Sequence, residues 1–293
     1  MLTAHSLISL NNAELLNPSE INSISKGYNP HLYMILGIPK WYIKRANLIE
    51  GNSKIDIELQ SEDGFSYKNT LKFIDKRDQK LRNLNSIKIT KDNRFLVINE
   101  TEKHQATDIM WNCCMEFIPS CKILYIGKAH GNKNDRTVKE RLSSHSTVQQ
   151  ILSDSNDLKI NYDIKVLVFS IIESKVATTL GDVSISGLSV EDIADFPNDK
   201  NLISLVEAKL INYFKPSYNK TFTKGQVPKL RDKSYSEYFT KHFNSMIIDF
   251  RNLGEIFFYT DNVKSFNTFS DCIDYTINGD ANTFELLIRP YFE

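Results

Sequence analysis

Glu207 occupies the setting that most needs a chemical reason. Over residues 201–214 the apolar side chains Ile203, Leu210, Ile211 and Phe214 recur at helical spacing, and Glu207 falls within the stripe they form. A carboxylate buried without a partner costs on the order of several kcal/mol or has its pKa forced upward. A cation relieves that cost. It could be a divalent metal, for which a carboxylate oxygen is a suitable ligand, or a guanidinium such as Arg141. A helix turned so that Glu207 faces water, or a purely structural pair with Arg141, would also account for it. Arg141 and His145 stand four residues apart in a predicted helix over 138–152, so they share a face and could address one phosphate. By themselves they read more readily as a solvated arginine and a histidine packed near Val148 and Leu152. Tyr125-Ile126-Gly127-Lys128 closes a predicted strand, with the aromatic as strand former and the glycine marking the turn. Asn219 ends the run Phe214-Lys215-Pro216-Ser217-Tyr218-Asn219, where a turn amide is common.

A basic stretch begins within the Glu207 helix and runs on past its end. Lys209, Lys215, Lys220, Lys224, Lys229, Arg231 and Lys233 stand against Asp232 alone, with Tyr213, Tyr218 and Phe222 interleaved. Such a stretch can track a phosphate backbone and stack bases, although a charge run is more often a solvated face.

Taken together these residues resemble the GIY-YIG nuclease superfamily. The run Leu124-Tyr125-Ile126-Gly127-Lys128-Ala129 is similar to that family's second tyrosine motif, and Arg141 with His145 is similar to its helix-borne pair. Glu207 and the stretch ending at Asn219 resemble its metal-ligand glutamate and terminal asparagine. That last stretch resembles the corresponding part of the nuclease half of excision-repair incision enzymes, and the Arg–His and Glu–Asn spacings together resemble the GIY-YIG restriction endonucleases.

The resemblance implies an α+β fold with a three-stranded, mainly antiparallel sheet flanked by helices, and additions at both ends. It implies hydrolysis of phosphodiester bonds, in DNA first and in RNA as an alternative, with one Mg2+ or Mn2+ held by Glu207. Arg141 would neutralise charge on the phosphate, and Tyr125, His145 or Lys128 would position or deprotonate water. Asn219 would fix the helix end or a tyrosine hydroxyl. Gly127, Lys215, Lys220 and Lys224 are the expected substrate contacts. The first tyrosine motif finds no counterpart near Tyr125, because no tyrosine lies between Tyr67 and Tyr125. The strand over 94–99 then serves as the first motif strand, with Leu96 or Val97 where a phenol is expected. A catalytically silent module that binds nucleic acid or protein is the other reading.

The elements that must position these groups follow from periodicity. Strands are predicted over 31–38, 54–60, 86–90, 94–99, 122–127, 164–172 and 255–259. Helices are predicted over 12–16, 19–25, 75–84, 109–117, 138–152, 201–214 and 235–251. The acidic segment over 174–199 reads as a surface insertion. These elements divide the chain into an α+β module over 1–91, a nuclease domain over 92–222 and an α+β extension over 223–293.

A 293-residue chain that is 41% hydrophobic and 25% charged can bury an ordinary core. Lys+Arg and Asp+Glu both total 36, which argues against a chain that coats nucleic acid indiscriminately but leaves room for a local basic face. Cys113, Cys114, Cys121 and Cys272 are too few for a disulfide scaffold and lack zinc-ribbon spacing, so free thiols in a reducing cytoplasm are expected. No signal segment or membrane span is legible. DNA is the expected partner, with a homodimer possible.

Overall fold

The computed structural model describes residues 2–24, 30–74, 79–113, 119–128, 138–157, 159–179, 199–223, 243–278 and 283–290. The strands in chain order are β1 (Leu2–Leu16), β2 (Leu32–Pro39), β3 (Trp41–Ile49), β4 (Lys54–Ser61), β5 (Ser66–Lys72), β6 (Ile87–Ile89), β7 (Phe95–Ile98) and β8 (Glu102–Gln105). They continue with β9 (Ser120–Lys128), β10 (Tyr162–Thr179), β11 (Phe243–Asp249), β12 (Phe257–Tyr259), β13 (Phe266–Asn267), β14 (Asp271–Asn278) and β15 (Thr283–Pro290). The α-helices are α1 (Ala106–Cys113), α2 (Val138–Ser144), α3 (Ser146–Asn156) and α4 (Asp199–Phe214). Two compact units emerge: Met1–Gly37 with Ser120–Asp157 and Ile164–Glu293, and Ile38–Pro119 with Leu158–Asp163. They cut across the three divisions drawn from the sequence.

The first unit is built on one nine-stranded sheet, ordered β13-β12-β9-β2-β10-β1-β11-β14-β15. This corrects the expected fold class, since a three-stranded sheet flanked by helices is not what the chain forms. β2 lies inside the sheet, and Leu32 to Leu36 are all fully buried, which is why this strand reads as a continuous apolar run. It pairs antiparallel with β9, with Tyr33 opposite Gly127 and Ile35 opposite Tyr125. β1 pairs antiparallel with β10 and parallel with β11.

α4 packs against β9 and is buried on most of its circumference, through Leu202, Ile203, Leu205, Val206, Ala208, Leu210, Ile211 and Phe214. Its C-terminal end is seated in aromatic rings. Phe214 stacks edge-on with Phe250, Phe258 and Phe266 at centroid distances of 6.1, 6.3 and 5.3 Å. The Thr260 hydroxyl donates to the Phe214 carbonyl at 2.6 Å, satisfying one of the helix's terminal acceptors. Residues 243–278 therefore complete the sheet and floor that carry α4.

The second unit holds two three-stranded sheets, β3-β4-β5 and β6-β7-β8, with α1. Trp41, Ile43, Ile55, Ile57, Leu59, Leu96, Ile98 and Met110 form its core. Arg94 ion-pairs with Asp163, which also accepts from Thr107, so the short segment Leu158–Asp163 is tied into this unit.

Several element expectations need correction. Residues 12–16 end a long strand, and 243–249 form β11 where a helix was expected. The described residues around 75–84 form an isolated bridge, Ile74 to Leu81, in place of a helix. The single helix over 138–152 is two helices broken at His145, whose backbone is extended. Strand β7, the expected first motif strand, pairs with β6 and β8 and not with β9. The expected insertion over 174–199 begins as a continuation of β10, and 180–198 lie outside the described residues. Among the described residues, no helix is long and apolar enough to cross a membrane. Cys113, Cys121 and Cys272 are free thiols, and Cys114 lies outside the described residues.

Candidate active site

The β2–β9 pairing brings two phenols together. Side chains two residues apart share a strand face, so Tyr125 and Gly127 point the same way, and Tyr33 stands opposite Gly127. The Tyr33 ring leans over the glycine to meet Tyr125, with ring centroids 6.0 Å apart. A β-carbon at position 127 would lie 2.6 Å from the Tyr33 hydroxyl and 2.8 Å from the Tyr125 ring. Gly127 thus sits within a strand and leaves room for two rings, where the sequence suggested a turn. Tyr33 is the site residue the sequence reading missed. Its local pattern, Leu32-Tyr33-Met34-Ile35, resembles Leu124-Tyr125-Ile126-Gly127 only loosely, and its partner strand lies far along the chain.

His145 reaches the same place from the break between α2 and α3. Its Nε2 lies 3.3 Å from the Tyr125 hydroxyl, and the two rings are 5.3 Å apart. The shared helical face expected for Arg141 and His145 does not exist, because the chain is extended at His145. Both side chains nonetheless converge. Arg141 acts electrostatically on Tyr33, Tyr125, His145 and Glu207.

Glu207 is largely buried, as its place in the apolar stripe implied, with a side chain 14% exposed. Its first partner is Lys128 rather than Arg141. The Lys128 backbone N–H donates to Oε1 at 3.0 Å, and the ammonium lies 3.4 Å from Oε2. Lys128 Nζ also donates to the Ser204 hydroxyl at 2.8 Å.

The electrostatics follow from burial. Desolvation holds Glu207 above the usual carboxylate range, against the pull of Lys128 and then Arg141. Burial pushes the Tyr33 hydroxyl well above the phenol range, Tyr125 and Glu207 add to that, and Arg141 opposes it. Tyr125 is raised chiefly by burial as well. Burial and then Arg141 depress His145, so its imidazole is neutral at neutral pH. Three polar atoms here, Tyr33 Oη, Arg141 Nε and His145 Nδ1, are buried without a hydrogen-bond partner of good geometry.

Asn219 serves the frame. Its Oδ1 accepts from the Ile126 N–H and its Nδ2 donates to the Ile126 carbonyl, both at 2.9 Å. Beside it the Tyr218 N–H donates to the Leu124 carbonyl at 3.1 Å. The asparagine therefore holds the open edge of β9 behind Tyr125, as a neighbouring strand would, and does not bond a tyrosine hydroxyl.

The expected basic track is partly reassigned. Lys215 and Lys220 are exposed, and Lys224, Lys229, Arg231 and Lys233 lie outside the described residues. Lys209 is fully buried with its Nζ 4.1 Å from the centroid of the Tyr275 ring, and burial lowers its pKa to about 6. It cannot grip a backbone. The Tyr218 hydroxyl is committed to Asp154 at 2.8 Å, and the Tyr213 ring packs on Phe214 and Phe266.

As a donor set, the site offers a cation one oxygen ligand residue, Glu207. No group of three His, Cys, Asp or Glu side chains suited to a metal occurs among the described residues. One buried carboxylate still fits a hard ion that keeps several waters and takes further oxygens from substrate. No family model, curated protein or solved structure matches this chain.

Proposed function

We propose that the protein is a metal-dependent endonuclease that hydrolyses phosphodiester bonds in DNA, with a GIY-YIG-type residue set carried on an enlarged sheet. The observation that carries this reading is the convergence of Tyr33 Oη, Arg141 Nε and His145 Nδ1, buried and without a hydrogen bond of good geometry, beside Tyr125 and Glu207. Two donors and an imidazole whose hydrogen bonding is incomplete suit a tetrahedral anion and a water, because each gains a well-directed hydrogen bond when that ligand arrives.

In this reading Arg141 binds non-bridging phosphate oxygens and neutralises the charge that grows on them. Tyr33, protonated at neutral pH, donates a hydrogen bond to the phosphate or to the attacking water. His145, neutral at that pH, can receive the water's proton, with Tyr125 holding the imidazole through Nε2. A Mg2+ or Mn2+ ion on Glu207 would act as a Lewis acid toward the scissile phosphate. Exposed Lys215 and Lys220 would meet the flanking backbone. A restriction or phage-defence role in the cytoplasm is the setting we infer for such an activity. Tyr33 supplies the phenol whose absence favoured a silent binding module, so catalysis is the better-supported reading.

Supercoiled plasmid and a structured RNA incubated with purified protein and Mg2+ or Mn2+ test it directly. Nicking or linearisation of the plasmid is expected, stopped by chelator and slowed roughly 100-fold or more by Glu207→Ala. Cleavage that survives the Glu207 change would sink the mechanism. Cleavage of the RNA alone would move the substrate class, and no cleavage of either would restore the binding-module reading.

A further inference from the structure

Lys128 holds both oxygens of the Glu207 carboxylate, one through its backbone N–H at 3.0 Å and one through its ammonium at 3.4 Å. The ammonium is anchored more closely to Ser204, at 2.8 Å. Ser204 and Glu207 lie three residues apart on α4 and so present adjacent groups on one helix face. In the resting protein the counter-ion of this buried carboxylate is therefore part of the chain itself.

A divalent cation must use a lone pair of the same carboxylate. A +1 and a +2 charge within a few ångströms repel strongly in a partly desolvated site, so each weakens the other's hold on Glu207. The ammonium has somewhere to go, because its side chain is 26% exposed and carried at the end of a flexible stem. A substrate phosphate offers it a new anionic partner.

We propose that Lys128 is an internal counter-ion that competes with the divalent ion for Glu207, and that substrate phosphate releases it. Metal uptake is thereby coupled to substrate binding. The proposal rests on the nuclease reading above and adds to it an order of events. By linkage, whatever draws Lys128 away tightens the metal, and the metal tightens that ligand equally.

Mn2+ binding to the full-length protein, followed by calorimetry and by loss of the free-ion paramagnetic resonance signal, tests this without turnover. Wild type is expected to bind weakly alone and roughly tenfold or more tightly with a cleavage-resistant phosphorothioate duplex. Lys128→Met is expected to bind tightly without DNA and to gain little from it, whereas Lys128→Arg, which keeps the charge, stays close to wild type. Lys128→Gln repeats the tightening should the Met variant fail to fold. Glu207→Gln should lose the ion. Equal Mn2+ affinity in wild type and Lys128→Met, with Glu207→Gln still losing the ion, would overturn the counter-ion proposal and leave the metal-dependent nuclease standing. Mn2+ held undiminished by Glu207→Gln, or by no form of the protein, would bring down the metal site and the proposal together.

Discussion

Tyr33 and Gly127 face each other across the β2–β9 pair, and the ring of the first fills the space the second leaves by having no side chain. Gly127→Ala would place a β-carbon 2.6 Å from the Tyr33 ring, which is fully buried and has no room to withdraw. Overpacking of this kind is expected to cost about 1–3 kcal/mol in urea unfolding and to depress cleavage with it. An alanine variant of undiminished stability would show that the two strands separate easily, contrary to this packing.

Tyr33→Phe separates function from fold. The lost hydroxyl is buried and has no hydrogen bond of good geometry, so its removal should change the melting temperature little. Single-turnover cleavage should nonetheless fall by roughly 100-fold. A phenylalanine variant that cuts at the wild-type rate would remove Tyr33 from the chemistry.

Asn219→Ala should act through stability. It strips partners from both backbone groups of Ile126, for an expected loss of about 2–4 kcal/mol by denaturant titration. Asn219→Asp should also destabilise, since a carboxylate cannot donate to the Ile126 carbonyl. A normal unfolding midpoint with impaired catalysis would instead place Asn219 in the reaction.

The depressed pKa of His145 sets a pH dependence whose sign can be worked out. The folded state disfavours the imidazolium, so between the folded pKa and the ordinary value near 6.5 the unfolded chain binds more protons. Stability contributed by the neutral imidazole is present above that window and is lost as pH falls through it. Melting curves of wild type and His145→Asn should therefore diverge as pH is lowered from 7 to about 5, with wild type losing more. The acid limb of cleavage should likewise lie below the pH at which an unperturbed histidine titrates. Parallel melting curves across that range would show that His145 is not held neutral.

Much of the site was legible in local pattern. The need of Glu207 for a cation follows from a 3.6-residue period within a single helix, and the α4 stripe is buried as that period implies. Tyr125 stands in a run that reads correctly as a strand, though that strand runs on to Lys128, and Asn219 stands in one that reads as a turn. The break at His145 was not legible, because no glycine or proline marks it. Ser143 and Ser144 there turn their hydroxyls back to the carbonyls of Lys139 and Glu140, each at 2.8 Å, a bonding that bends and weakens helices.

The sequence alone determined which residues could do chemistry: a carboxylate that must meet a cation, an arginine, a histidine, and a tyrosine at a strand end. Only the tertiary structure decided that Tyr33 joins them, that Lys128 is the cation on Glu207, and that Asn219 braces β9. The reason is physical. Helical and strand periods are set by neighbours a few residues away, whereas strand pairing is set by which apolar surfaces can be buried together, and here it joins residues separated by the whole segment Ile38–Pro119. The same long-range pairing turned an expected three-stranded sheet into one of nine strands.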